Sequence, residues 1–348
     1  MMHRCLRSAV FAVAAVVSLT ACGSSRNGSS PEPVVGVTDA TPTDTSVSAI
    51  VGETPPAAGE TVAAAPAAPS IRAVATFYPI AWMIEQIGGA RVSVMNLTPP
   101  GVEPHDLELA PDQVDALTDA DVAIVMGRNF QPGPEKIAKN RKKPTVMFLD
   151  AVSAGDGLVE EHQEGDIGHG DTKSLDPHVW LDPRMFSTAR AEIVRTLSNV
   201  DPGGAADYSR RSEELGIALA ELDASMEAGL RTCKRRTMVT AHEAFGRLAV
   251  RYGLTQEGIA GLSPDAEPDP QRLADLTDLM KKQGLTTVFF EELAPQNFAD
   301  TLAREAGVRT AMLSPLEAPM PDELAGGASY LTIMRTNLKT LRTAFDCK

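Results

Sequence analysis

Apolar stretches long enough to cross a bilayer are missing from this sequence. The one sustained apolar run, Ala9 to Leu19, has about a dozen residues, whereas a permanent span of roughly 30 Å takes about 20. The run follows Arg4 and Arg7 and ends in Leu19-Thr20-Ala21-Cys22. That is the pattern of an exported chain cleaved ahead of a lipid-bearing cysteine, so residues 1–21 are expected to be a lipoprotein signal peptide. Several acyl chains on Cys22 would hold a soluble domain firmly at the outer face of the cell membrane.

Large aliphatic and aromatic residues are nearly absent from Gly23 to about Ser70, where Ser, Thr, Pro, Ala and Gly dominate. Such a segment cannot bury enough apolar surface to offset chain entropy, so residues 22–70 read as a disordered, lipid-anchored linker. Basic residues are also few, 32 against 46 acidic ones, for a net charge of -14. Losing Arg4 and Arg7 with the leader takes the mature chain from -14 to -16. That surface argues against nucleic acid as a partner. It is compatible with gathering cations, although acidic solvated surfaces are common. Cysteine is scarce too: Cys5 lies in the leader and Cys22 is the lipid site, leaving Cys233 and Cys347. In an exported protein these two most simply form a disulfide, the alternative being two unpaired buried thiols. A bridge closing so long a loop contributes at most roughly 4–5 kcal/mol and would pin the C-terminal end.

What the sequence does hold, from about Ile71 to Lys348, is enough chain for a large core or for two lobes sharing one cleft. Short β-type runs alternate with helical patterns: Arg72–Phe77, Arg91–Leu97, Val122–Met126 and Thr145–Leu149, then Thr237–Thr240, Leu254–Ala260, Thr286–Phe290 and Arg309–Leu313. This alternation predicts an α/β fold with parallel sheets covered by helices, four strands in each half. Between the halves, Asp201-Pro202-Gly203-Gly204 opens a proline-free stretch with Leu215, Leu219, Leu222, Met226 and Leu230 at helical spacing. A helix from Ala205 to Leu230 would be about 39 Å long, enough to run the length of a two-lobed molecule. The domains expected are therefore 71–200, a linking helix within 201–232, and 233–348. Beyond this two-half symmetry no internal repeat is evident. The stretch Gly155–Lys173, rich in Gly, acids and two histidines, reads as an exposed loop.

Histidines are few, and their placement is the main chemical signal. His105 follows a strand through Thr-Pro-Pro-Gly-Val-Glu-Pro; His178 sits in Ser174-Leu-Asp-Pro-His-Val-Trp-Leu-Asp-Pro183, ahead of a helix beginning near Pro183. His242 follows Met238-Val-Thr-Ala and precedes the helical pattern Glu243–Tyr252. Ligands of open α/β sheets bind outside the carboxyl ends of strands, which is where at least two of these fall. One such histidine alone is more often a hydrogen-bonded structural residue. Three together suit zinc or another borderline transition metal, while calcium or magnesium would want oxygen donors. Prolines beside His105 and His178 restrict the backbone and lower the entropy lost on fixing each ring. Asp106, Asp176 and Asp182 are placed to accept from a far ring nitrogen or, equally, to cap turns. Trp180 is expected to pack beneath His178. The stretch His242-Glu243-Ala-Phe-Gly-Arg247 begins like a zinc-protease helix but has Gly246, followed by Arg247, where that motif requires histidine. His162 and His169, in the acidic loop, are either transient metal catchers or part of a solvated loop.

These residues resemble a family, the metal-binding components of bacterial zinc and manganese ABC importers, also called solute-binding protein family 9. The resemblance rests on Gly101-Val-Glu-Pro-His-Asp-Leu-Glu-Leu-Ala-Pro-Asp112, Asp176-Pro-His-Val-Trp-Leu-Asp-Pro183, Val239-Thr-Ala-His-Glu-Ala-Phe-Gly246 and Gly261-Leu-Ser-Pro-Asp-Ala-Glu-Pro268, in that order. It implies two (β/α)-type lobes joined by one long backbone helix, with the metal in the interlobe cleft. His105 and His178 would come from the first lobe and His242 from the second. The acidic loop resembles the metal-collecting loop of the zinc branch. Many members complete the site with a second-lobe carboxylate just after the last strand. Here Ser314 and Pro315 stand where it is sought, so the fourth place falls to water, Glu317 or Glu291. Manganese-type members commonly put a carboxylate where His242 stands, which favours Zn2+ over Mn2+ as the transported ligand.

The function implied is an extracytoplasmic Zn2+-binding component that delivers metal to an ABC permease and its ATPase, with no catalysis, as a monomer. Three protein nitrogens plus water also describe a catalytic zinc site, so a hydrolase is the rival, with Glu243, Glu291 and Glu103 available as a base. A manganese-binding homologue and a surface adhesin are further alternatives. Metal transfer to a permease, or turnover of an ester, phosphate or peptide, separates these readings.

Overall fold

Eight short strands build two four-stranded, all-parallel sheets in the computed structural model, which describes residues 70–105, 107–156, 176–264 and 268–348. The leader, the linker with Cys22, the loop histidines His162 and His169, and Asp106 lie outside the described residues. In the first half, β1 (Ile71–Ala75), β2 (Val92–Asn96), β3 (Val122–Val125) and β4 (Thr145–Met147) are ordered β2-β1-β3-β4. In the second, β5 (Thr237–Thr240), β6 (Thr255–Gly258), β7 (Thr287–Phe290) and β8 (Arg309–Met312) repeat that order as β6-β5-β7-β8. Register runs from Ile71 opposite Val92 to Ala75 opposite Asn96 in one sheet, and from Thr287 opposite Arg309 to Phe290 opposite Met312 in the other. β3, Val-Ala-Ile-Val, is buried along its whole length. A central parallel strand covered on both faces requires such a continuous apolar run.

The expected linking helix spans Ala205–Leu230, 26 residues. Its buried face is Tyr208, Leu215, Leu219, Leu222, Met226 and Leu230 with Ser212, recurring at three or four residues as a stripe on one side must. The stripe joins one apolar core that also takes in Phe77, Trp82 and Trp180 from the first half and Phe289, Tyr330 and Phe345 from the second. At the start of the helix the Asp201 carboxylate accepts from Arg91 Nε at 2.8 Å and Tyr208 Oη at 2.7 Å, anchoring it to the first half. Just past its end Cys233 is disulfide-bonded to Cys347, tying it to the final helix, Tyr330–Phe345. Backbone bonds from Lys234 and Arg235 to the Phe345 carbonyl reinforce the tie.

The two lobes touch at more than the linking helix. Trp180 Nε1 donates to the Pro315 carbonyl at 2.7 Å, and Tyr330 Oη donates to the Trp180 carbonyl at 2.6 Å. Tyr330 also stacks on Trp82 and Phe186, with ring centroids 4.9 and 4.8 Å apart. One helix starts later than its apolar pattern predicts: Gly246–Tyr252 in place of Glu243–Tyr252. The reason is hydrogen bonding, since the His242 carbonyl, which a helix begun at Glu243 would turn to the Gly246 amide, accepts instead from Thr240 Oγ1 and Gln256 Nε2. Those residues are held as a turn, which leaves the His242 ring aimed outward from the strand end.

Candidate metal centre

Four loops deliver the site. His105 lies in the Pro-rich connection after β2, where its amide donates to Glu103 Oε1 at 3.0 Å and the preceding Pro104 carbonyl accepts from Gln131 Nε2 at 3.0 Å. Its ring rests on Phe130, centroids 4.5 Å apart. His178 opens the single turn Val179–Leu181, and Trp180 packs 5.1 Å from it, ring to ring. Asp182 is the N-cap of the helix Pro183–Thr188, accepting from the amides of Arg184 and Met185, so the second Asp-Pro pair serves as a cap. His242 stands two residues beyond β5, its carbonyl held by Thr240 Oγ1 at 2.6 Å and Gln256 Nε2 at 2.9 Å.

Glu317 comes from the segment after β8. Asn337 clamps Ser314 from both sides, accepting from its amide at 3.0 Å and donating to its carbonyl at 2.7 Å. Leu316 then turns through the left-handed region at φ 63° with its amide on Ser314 Oγ at 3.2 Å, and Glu317 swings back toward the histidines. The acid is thus delivered three residues beyond Ser314, where the sequence alone directs attention.

Among the described residues, His105, His178, His242 and Glu317 form one group whose ligand atoms all lie within 4.8 Å of one another. Glu317 Oε1 is 3.3 Å from His105 Nε2, 3.1 Å from His178 Nε2 and 3.7 Å from His242 Nε2. Tetrahedral zinc with bonds of about 2.0 Å separates its ligand atoms by about 3.3 Å, so little movement closes this set on one ion. Apart from Glu317 Oε1, at 3.1 and 3.7 Å, the buried Nε2 atoms of His178 and His242 have no hydrogen-bond partner among the described residues. Orphaned buried donors or acceptors cost roughly 1–3 kcal/mol each, and a cation at the centre would remove that cost. The donor set, three nitrogens and one oxygen, fits zinc and not the six or more oxygens calcium takes.

The far nitrogens are held by carboxylates. His178 Nδ1 lies 2.8 Å from Asp176 Oδ1, which also accepts the His178 amide at 3.0 Å. His242 Nδ1 hydrogen-bonds Glu291 Oε2, whose other oxygen accepts the His242 amide at 3.2 Å. With Nδ1–H donated rearward, the Nε2 lone pair of each ring is left for the metal. Glu291, considered above as a fourth ligand, thus stands behind His242 on the side away from Glu317. Glu317 is the carboxylate that joins the group.

In the metal-free protein these groups share protons. Burial presses His242 downward, but the charges of Glu291 and Glu317 outweigh it and hold the imidazole well above its ordinary value. Burial also presses on His178, where hydrogen bonds to Asp176 and Glu317 win and raise it. For Glu317 burial pushes upward, and the surrounding imidazoles, His242 foremost, hold it well below the usual carboxylate range. Only His105 retains some exposure, 12% of its side chain against 0–3% for the other three, so the approach to the site is on its side.

Two parallel-sheet lobes, a single connecting helix and a four-donor, cation-sized cluster between them define a metal-binding protein of the solute-binding class. The chain belongs to the family described as zinc-uptake complex component A, periplasmic (ZnuA), whose model matches residues 73–344. It is similar to the zinc-binding protein AdcA of Streptococcus pyogenes serotype M3 (strain ATCC BAA-595 / MGAS315), 36% identical over 289 residues, covering 79% of this chain and 56% of that protein. It is also similar to the high-affinity zinc uptake system protein ZnuA of Bacillus subtilis (strain 168), 34% identical over 282 residues, covering 80% of this chain and 88% of that one. Among solved structures, the Zn(II)-bound ZnuA-like domain of Streptococcus pneumoniae AdcA superposes with a TM-score of 0.66 at 33% identity, over 80% of this chain and 99% of that domain. The chain spans about half the length of the streptococcal curated relatives it matches.

Proposed function

We propose that this chain is the extracytoplasmic Zn2+-binding component of an ABC metal importer, and that it hands the ion to the membrane permease. The observation that carries the reading is the convergence of three imidazole Nε2 atoms on Glu317, two of them buried and without any other partner. His105, His178, His242 and Glu317 are assigned as the ligands, Asp176 and Glu291 as the residues that orient His178 and His242. Membership of a zinc-uptake family supports cargo transport over the adhesin reading. The nitrogen-rich donor set supports zinc over manganese.

The reading includes no catalysis. A zinc hydrolase keeps an open coordination position for water, whereas the four protein donors grouped here would fill a tetrahedron. Of the acids named as its base, Glu291 is engaged with the His242 ring and Glu103 with the His105 amide. We assign Cys22 as the lipid anchor, 22–70 as the linker, 71–200 and 233–348 as the lobes with the linking helix within 201–232, and His162 and His169 as metal-gathering residues. The protein would act as a monomer with a permease and its ATPase. Calorimetric titration of the mature protein with zinc tests the site: His105→Ala, His178→Ala and His242→Ala each lower affinity at least about tenfold, as loss of a ligand should. Unchanged affinity in all three overturns the assignment.

A further inference from the structure

Arg247, next to the glycine that breaks the zinc-protease pattern, has a place in this site. It lies on the second-lobe helix Gly246–Tyr252, five residues after His242, and its guanidinium crosses to the first lobe. Arg247 Nε and Nη2 donate to the Asp176 carbonyl at 3.3 and 3.2 Å, and Nε lies 3.7 Å from Asp176 Oδ2. The other carboxylate oxygen of Asp176 is the one that holds His178 by its ring Nδ1 and its amide. Both side chains are largely enclosed, at 15% and 21% exposure, so the contact is poorly screened by solvent. Beside it Gly246 allows a close approach: a Cβ there would stand 2.6 Å from Asp176 Oδ2, nearer than any side chain can sit. Sequence neighbours of one zinc ligand are thus clamped to the orienting group of another, across the lobe boundary.

We infer that Arg247 is a positioning residue whose interlobe clasp on Asp176 sets the rate at which the bound metal leaves. The inference rests on the zinc-binding reading above and extends it from affinity to kinetics. For an ion to depart, the His178 and His242 donors must separate, and the clasp resists that separation by tying their supporting segments together. The ion enters and leaves past His105, the partly exposed ligand, which Arg247 does not touch. Loss of the clasp destabilises the closed, loaded site more than the open state that captures the ion, so the change should fall on release rather than on capture. Orienting groups behind a ligand typically alter metal affinity by about 10–100-fold, and here that change should fall on the release rate.

The test is stopped-flow zinc release from the mature protein into an excess of a chromophoric chelator, with zinc uptake measured separately. Arg247→Gln is expected to release zinc about tenfold faster, with an unchanged association rate. Arg247→Lys, which keeps the charge but not the two-atom donation to one carbonyl, should fall between it and the wild type. A wild-type release rate in Arg247→Gln overturns the proposal, whatever happens to its melting temperature, because a merely structural residue would lower stability without speeding release. Should Arg247→Gln fail to fold, Arg247→Lys carries the same test. It leaves Asp176 and its hold on His178 in place, so faster release supports the clasp and a wild-type rate overturns it. A wild-type protein that takes up no zinc would instead overturn the functional reading beneath it.

Discussion

A buried imidazole between two carboxylates holds a proton until a cation replaces it, and His242, between Glu291 and Glu317, is in that position. Since His178 and His242 both titrate above the ordinary 6.5, zinc must displace protons even near neutral pH. Titration in buffers of different ionisation enthalpy should therefore show net proton release, and affinity should begin to fall at a pH above the ordinary histidine range. The same shifts govern the metal-free protein. Raised imidazoles stabilise the fold below their unfolded value of 6.5 and lose that contribution as pH rises through their folded values. Glu317, depressed in the fold, stabilises above its unfolded value of 4.5 and loses it as pH falls through its folded one. Melting of chelator-treated protein should thus show the site's contribution greatest between 4.5 and 6.5. A contribution that grows steadily above that window would contradict the shared-proton picture. At this scale the three histidines were legible from their strand-end settings and flanking prolines. Glu317 could not be singled out, because the turn that delivers it is fixed by Asn337, 23 residues further on.

Among the elements, the linking helix was readable to the residue, since its apolar stripe and its Pro-Gly-Gly start are both local signals. All eight strands fell where β-type runs predicted them, with ends displaced by a residue or two. The helix after His242 was misplaced by three residues because Gln256, 14 residues further on, and Thr240 take the His242 carbonyl that its first turn would have used. The disulfide is the element-scale device most open to test. Cys233 and Cys347 are 114 residues apart in sequence. Replacing Cys347 with Ser should destabilise by up to roughly 4–5 kcal/mol, read as a lower denaturant midpoint. No change in midpoint would show that the backbone bonds from Lys234 and Arg235 hold the C-terminal helix unaided.

Over the whole molecule, the lobes are joined by direct bonds as well as by the helix, and these contacts were beyond reach of the sequence. Trp180 reaches a carbonyl 135 residues away, and Arg247 one 71 residues away. The expectation that Trp180 packs beneath His178 holds, but its indole N–H also fastens the first lobe to the turn that carries Glu317. Trp180→Phe keeps most of the packing and orphans the Pro315 carbonyl. It should cost about 1–3 kcal/mol of stability and weaken zinc binding as well, measured by melting and titration together. Loss of stability alone would mean the indole bond does not position Glu317. With so many interlobe ties, metal binding should bring small shifts and side-chain closure rather than a wide hinge motion.

The most direct test of the account is a crystal structure of the zinc-loaded protein with anomalous data collected on either side of the zinc absorption edge. The account predicts one strong peak, present above the edge and lost below it, bonded at about 2.0–2.2 Å to Nε2 of His105, His178 and His242 and to an oxygen of Glu317. A peak bound elsewhere, or a site in which water replaces Glu317, would contradict it.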